Sequence, residues 1–525
     1  MRERRSAATS LQCRIWQTIL ILVAAGCHVV PDPVPAAFVP GTATIADSTR
    51  MPEAPGSAAV DPEAVSEEQA ASSFFQVPRV LPGARVAPLN VPVPDPGQTP
   101  EERMDVVTEF FPPPQTPPER SDLELPQISL SQLQGLAVEY SPILHQAAAD
   151  VERARGLTVQ AGLSPNPTIG YQGDTIGTAD SAGYNGISMS QEIVTAGKLG
   201  LAESAQRQRV IAAEANFRKA RIQLATSIRR GYFKVLVAQQ ELEYSRALLQ
   251  LTRESYQAQV NRVASGESAP YEPLQLRVNV VAAGNKVIRA GNQLEAAWRQ
   301  LAAATGRPSL PRHKLSGFVG VPAPEISYED AVAMVQEHSD LQAATAGISA
   351  AQKKLLLQEA EATPNLLFGA VLQHDDTTPD AGLSTNLMLS TEFPVFNRNQ
   401  GNIQAAHAEL VRAKQDYTAI QNRLMSEVAE RFGRYQTGRA VSASYRTEIV
   451  PDQVRAYRGI YNNFLIDGQL VDFTGVVNAQ QTLGDVIESY TRSLDEEWTA
   501  AVDLAEILQV SDLLTMDGAA KPEAP

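Results

Sequence analysis

Residues 164–200 read SPNPTIGYQGDTIGTADSAGYNGISMSQEIVTAGKLG, and residues 363–401 read TPNLLFGAVLQHDDTTPDAGLSTNLMLSTEFPVFNRNQG. Both stretches open on a Pro-Asn break, Pro165-Asn166 and Pro364-Asn365. A short alternating run follows in each, Thr168 to Tyr171 and Leu366 to Val371. A Gly/Asp/Thr-rich loop comes next, Gly173 to Gly186 and His374 to Gly382. A second alternating run then returns, Ile187 to Ile193 and Leu387 to Phe393. Period-two patterning on both sides of a polar loop predicts a β-hairpin. Two hairpins make four strands, too few to close a barrel within one chain.

Working outward, the surroundings of the two hairpins also match. Ser141 parallels Ser339, Pro165 parallels Pro364, Glu192 parallels Glu392 and Gly266 parallels Gly468, at offsets of 198, 199, 200 and 202 residues. A period near two hundred is too long for a solenoid repeat and marks a duplicated domain, with copies at 126–310 and 311–512. Each hairpin is preceded by a helical stretch, Pro142 to Leu163 and Asp340 to Thr363. Each is followed by a much longer one. Gly200 to Ser265 contains no proline, and its 66 positions make a rod of about 100 Å. A seven-residue register runs through it: Ile228, Val235, Leu242, Leu249, Tyr256 and Val263. Leu224, Gly231, Ala238, Ser245 and Thr252 stand four residues earlier and are mostly small. A strict seven-period imposes a left-handed supercoil, and small partners let backbones approach. After the Gly266 turn a second helix, Leu274 to Thr305, packs back. The second copy predicts the same from Gly401 to Ile466, bent at Pro451, and from Val471 to Leu508.

The 525-residue chain carries 44 basic and 59 acidic residues, a formal net charge of −15. That balance argues against nucleic-acid binding, which needs lysine and arginine to displace counterions. Of its 35 prolines, 20 lie between Pro31 and Pro126. Residues 28–125 therefore read as a disordered, polyproline-rich tether unable to bury enough apolar surface to offset its ordering entropy, with a loosely packed extension lying on the folded body as the other reading for the last twenty or so residues. Residues 1–27 carry Arg2, Arg4, Arg5 and Arg14 before the apolar run Ile15–Ala25, which is too short to span a bilayer and predicts an export signal. Ala24-Ala25-Gly26-Cys27 resembles a lipoprotein cleavage box, which implies lipid attachment at Cys27. Ordinary cleavage near Ala25 is the other reading. The tail, 513–525, is expected to be disordered.

A strand pair at one end of long paired helices, duplicated in an exported chain, resembles the TolC family of outer-membrane efflux factors. The likeness is carried by Ser164-Pro165-Asn166-Pro167, by Gln191-Glu192-Ile193 through Gly197-Lys198, and by Val477-Asn478-Ala479-Gln480-Gln481-Thr482-Leu483. It covers about Gln127 to Val510. Pro394-Val395-Phe396-Asn397-Arg398-Asn399-Gln400-Gly401 is more similar to the heavy-metal cation (CzcC-like) branch than to the multidrug branch. The resemblance implies a mainly α fold with a small β part, and a homotrimer whose strands form a 12-stranded outer-membrane barrel above a periplasmic helical tunnel. It implies an outer-membrane location extending into the periplasm, to which the cleavage box at Cys27 adds a lipid anchor. Its expected partners are further copies of itself, a periplasmic adaptor (membrane fusion protein), an RND-type inner-membrane pump and outer-membrane lipid. The expected role is passive conduction of metal cations or small toxic compounds. A type I secretion duct of the same fold, and a periplasmic coiled-coil adaptor or scaffold without a barrel, are the alternatives.

The six histidines are scattered, and there is no HExxH, CxxC, GxSxG or phosphate loop. The chain is therefore not expected to be an enzyme, to hold a cofactor or to have a metal site. His374-Asp375-Asp376 reads as a solvated polar loop. The helix–helix turns are the expected periplasmic tip and adaptor contact: Gly266 and Glu267 in the first copy; Asp467, Gly468 and Asp472 in the second. Gly266 and Gly468 suit left-handed caps, and a threefold ring of Asp467 or Asp472 would gate a cation path. Gly197, Lys198, Asn399, Gln400 and Gly401 mark the strand-to-helix crossings.

Overall fold

A computed structural model describes residues 82, 97–114, 125–178, 182–377, 382–466 and 473–510. The signal at 1–27 with Cys27, the tail 513–525, and Asp467, Gly468 and Asp472 lie outside the described residues. From residue 97 onward the described chain belongs to one unit, Leu89–Pro525.

Each copy begins with a helix, α3 (Pro142–Gly162) and α7 (Ser339–Glu361). The prolines that follow, lacking an N–H and clashing with the preceding turn, stop both. The hairpins are β2 (Thr168–Asp174) with β3 (Tyr184–Ile193), and β5 (Leu366–Asp375) with β6 (Gly382–Thr391). They join into one antiparallel sheet, ordered β2-β3-β5-β6, in which Ile187 faces both Tyr171 and Leu372. Each hairpin then turns sharply into a long helix through a left-handed residue. Gly197 (φ +68°) precedes α4 (Lys198–Ala264), and Asn399 (φ +59°) precedes α8 (Gln400–Ser444). Glycine and asparagine tolerate this conformation best.

Helix α4 is a single rod of 67 residues, about 100 Å long. Its heptad is buried throughout, from Ile228 (0% exposed) to Val263 (2%). A Cβ on Gly231 would stand 3.0 Å from Leu301 Cδ1, so the small member of the register does permit close backbone approach. Gly266 (φ +80°) closes the rod with Glu267 N–H donating to Arg262 O and Gly266 N–H to Val263 O, the Schellman pattern expected of it. Helix α5 (Glu272–Ala304) returns along α4.

The second copy departs from this plan at one place. Helix α8 gives way to a π-helical turn, Tyr445–Ile449, before α9 (Val450–Ile466) and the return helix α10 (Phe473–Leu508). Pro451 is the cause: it offers no N–H to the carbonyl of Thr447 and its ring would clash there. The expected bend is thus a local change of helical register.

The two copies pack with equivalent positions at the same level. Ser255 bonds Tyr457, Arg262 bonds the Phe464 carbonyl and Lys286 bonds Glu488, and each pair is separated by 202 residues, the offset of the turn glycines. In the core, Trp298 donates its indole N–H to Leu310 O, and Trp498 donates to Val319 O. Tyr232 and Tyr435 donate their hydroxyls to the carbonyls of Ser316 and Pro324. A two-stranded parallel sheet of β1 (Gln127–Ile128) and β4 (Lys314–Leu315) ties the starts of the two copies together. Helices α2 (Leu130–Tyr140) and α6 (Tyr328–Val335) pack on α4 and α8.

Near the end of 28–125 the unstructured tether gives way to the packed alternative. Pro100–Phe110 forms a helix, α1, capped by reciprocal bonds between Thr99 and Glu102. Val107 and Phe111 are 1% exposed against α4 and α5. The physical reason is local: Thr-Pro-x-Glu is a helix start, and Met104, Val107 and Phe111 supply an apolar stripe. Among the described residues no helix is long and apolar enough to cross a membrane, which says nothing of a β-barrel.

Candidate membrane wall, crossings and conduit tip

The register of the four-stranded sheet sorts its side chains into two unlike faces, because facing residues share a side and alternate residues oppose. One face carries Ile169, Tyr171, Ile187, Met189, Leu372 and Leu387, which stand in paired register across all four strands. These are large apolar groups in the open; Tyr171 is 71% exposed and Leu387 72%. The other face carries Gly170, Gln172, Ser188, Ser190, Gln373 and Asn386. Three of the strands are ten residues long, the length that crosses a bilayer when tilted. Among the described residues β2 and β6 each pair on one side only. Leu367, Val371 and Met388 also lie on the second face, so one face is the more apolar and the other the more polar, and with two open edges the sheet has the features of a segment of barrel wall.

The crossings form a bonded joint between the copies. Lys198 is 4% exposed; its ammonium donates to Asn365 Oδ1 at 2.7 Å and lies 3.4 Å from Glu361 Oε2. Asn365 donates onward to Glu192 Oε1 at 2.7 Å, and Thr195 Oγ1 donates to Pro364 O. Thr195 and Lys198 of the first copy, on either side of Gly197, are therefore locked to the Pro-Asn break of the second. On the other side, Asn399 Nδ2 donates to Gln358 O at 2.7 Å and Gln400 Oε1 accepts from Arg398 N. Gly401, in the first turn of α8, has open space around it.

At the far end, Gly266 caps α4, while Glu267 is exposed and only 3.8 Å from Arg262 Nε. Arg262 is the residue that composition and spacing did not single out. It spans to the second copy, donating to Phe464 O at 3.0 Å with its guanidinium 4.5 Å above the Phe464 ring. No sequence signal distinguishes it from the other arginines of α4; only the 202-residue pairing does.

Charged groups also line a cleft of about 430 Å³ between α4, α5 and α10. Burial, with Glu488 and Asp495 nearby, pushes the Glu241 carboxyl above the usual range, against Arg289. Burial raises Asp495 as well, against Lys234. His374 and Asp375, expected in the loop, instead end strand β5; Asp375 Oδ1 accepts from Thr377 N and Oγ1, and His374 lies 3.3 Å from Asp376. Among the described residues no three His, Cys, Asp or Glu side chains converge to hold a metal ion.

The geometry is a four-stranded sheet with one apolar face and open edges, from which long paired helices reach away. Residues 133–307 match the outer membrane efflux protein family and form a domain of that family within the first copy. The chain is 23% identical over 370 residues to the cobalt-zinc-cadmium resistance protein CzcC of Cupriavidus metallidurans, covering 70% of this chain and 86% of that one. The fold is that of crystal structures of CusC (17% identity, TM-score 0.60, 75% of this chain and 96% of that one). It is shared with the outer-membrane channel OprN (16%, 0.60, 76% and 97%) and with VceC of Vibrio cholerae (18%, 0.59, 72% and 95%).

Proposed function

We propose that the chain is the outer-membrane conduit of a tripartite efflux system, working as a homotrimer. The observation that carries this reading is the two-faced sheet with open edges at the end of 100 Å helices. Three copies would join β2 to β6 and close twelve strands, leaving no edge in lipid. An exposed apolar stripe on α5, Val278, Val281 and Ile288, with Tyr271 before it, supports side-by-side packing of copies. An adaptor or scaffold without a barrel leaves the exposed apolar face of the sheet without a role.

The cargo we propose is divalent metal cations, delivered by an RND-type pump and a periplasmic adaptor, since CzcC is a cobalt-zinc-cadmium resistance protein. The duct itself is passive, and selectivity lies in the pump. Cys27 anchors the chain through lipid, and Gly266, Glu267, Asp467, Gly468 and Asp472 meet the adaptor, with Asp467 or Asp472 setting a cation gate. Membrane-extracted protein should run as a heat-labile trimer and conduct ions in a planar bilayer; a monomeric, non-conducting product would overturn the conduit. Deleting the gene should lower tolerance to zinc, cobalt or cadmium, and unchanged tolerance would remove the metal cargo while leaving the conduit.

A further inference from the structure

Helix α1 is out of place for a linker. Eleven residues are too few to hold a helix alone in water, where about 12 to 15 are marginal. Its order therefore comes from where it lies. Met104, Val107 and Phe111, at i, i+3 and i+7, enter a groove whose walls are Leu249, Tyr256 and Val260 of α4 and Leu276 and Val280 of α5, with Val477 of α10 in the same cluster. Tyr256 donates its hydroxyl to Pro112 O at 3.3 Å, fixing the end of the helix. The opposite face, Glu101, Asp105 and Glu109, is exposed.

The counterpart positions in the second copy differ. The positions 202 residues after Tyr256 and Val260 are Arg458 and Asn462, both exposed. A coiled coil has no need of apolar residues there, since the second copy does without them. A groove that is apolar in one copy and polar in its duplicate is matched to an occupant.

The occupant is also held close. Strand β1 pairs with β4 next to Ser316, whose carbonyl accepts the Tyr232 hydroxyl. Tyr232 is about 36 Å along α4 from Tyr256. The fifteen residues from Pro112 to Gln127 reach at most about 50 Å. A strap released from the groove stays within that reach, at an effective concentration on the order of millimolar.

We propose that the groove between α4 and α5 beside the Gly266 turn is a helix-binding site, filled in cis by α1 acting as a displaceable strap. The partner it fits is an amphipathic helix with apolar residues at i, i+3 and i+7 and a charged back. On the conduit reading, and only there, that partner is a helix of the periplasmic adaptor, which would have to displace the strap before docking.

The test uses the full-length chain in detergent and a fluorescein-labelled peptide of residues 97–114. Val107→Asp with Phe111→Asp should free the groove and bind the peptide at least tenfold more tightly than the unmutated chain. Adding Val260→Asp to that variant should abolish the gain. Hydrogen exchange on the unmutated chain should show protected amides over Met104–Phe110, a readout independent of any variant's folding. Equal peptide binding by the released and unmutated chains, or unprotected amides at 104–110, would overturn the strap. Peptide binding that follows the expected order in a protein that conducts no ions would keep the strap and remove the conduit.

Discussion

The two long helices that leave the sheet start alike and end differently. Helix α4 runs unbroken from Lys198 to Ala264, whereas its counterpart breaks into α8, a π turn and α9. The break coincides with a change in the return helix. Trp298 and Trp498 occupy equivalent places, but the residue before each is Ala297 in one copy and Glu497 in the other. Glu497 is fully buried; it accepts from Ala323 N at 3.0 Å and pairs with Arg446 of the π turn at 3.1 Å. The Gly438 backbone lies so close to Glu497 that a Cβ there would be 3.0 Å from its Cα. A duplicated scaffold has thus kept its hydrophobic frame and exchanged one apolar contact for a buried charge pair beside a helix defect. The difference teaches that the second copy holds its bend by a specific polar contact, while the first needs only its heptad.

Substituting the equivalent tryptophans is the strongest test of the shared frame. Trp498 stacks on Phe233 at 4.3 Å and is bonded in the core, whereas Trp298 stacks on the partly exposed His313 at 5.8 Å. Trp498→Ala should cost about 5 kcal/mol and Trp298→Ala about 3 kcal/mol of stability, measured by denaturant unfolding. Equal losses would mean that the copies share more than their frame.

Removing one partner of the buried pair comes next. Glu497→Ala should cost about 3 kcal/mol by leaving Arg446 uncompensated, while Glu497→Leu with Arg446→Met should recover most of that loss. Additive losses in the double-mutant cycle would show that the pair is not coupled.

In the sheet, Ile187 and Leu387 are equivalent and lie on the same apolar face. Arginine at either should cost about 2 kcal/mol in a bilayer, and Asn386→Arg, on the polar face, much less. Trimer yield after extraction orders the three, and an equal loss for Asn386→Arg would undo the assignment of faces.

Pro451→Ala restores the missing N–H and should change stability by less than about 1 kcal/mol. Loss of the π-turn exchange pattern over Tyr445–Ile449 would report healing of the helix.

The smallest effect is in pH. Glu241 and Asp495 have carboxyls raised above their unfolded values, so the folded form holds their protons more tightly. Their contribution is full below the ordinary carboxylate range and is lost as pH rises through the higher, folded values. Glu241→Gln with Asp495→Asn should flatten the pH dependence of the thermal midpoint in that window; an unchanged slope would refute it.

Much of this architecture was legible because it is periodic. Alternation located both hairpins to within a few residues, and the seven-residue register from Ile228 to Val263 named positions that are all buried. The capping signal at Thr99-Pro100-x-Glu102 was equally readable but lay inside a proline-rich stretch, where composition masked it. At the tip, Glu267 stands out by its place in the turn, yet Arg262, a turn earlier, makes the contact between copies.

By itself the sequence determined the duplication, the two hairpins and the long helices that flank them, because these are properties of neighbours along the chain. Only the tertiary structure decided that β3 pairs with β5 to merge the hairpins, that Lys198 meets Asn365 and Glu361, that Glu497 meets Arg446, and that α1 docks on α4. Each of these joins residues tens to hundreds of positions apart. Their energies depend on burial and on a partner's position, neither of which any local pattern encodes.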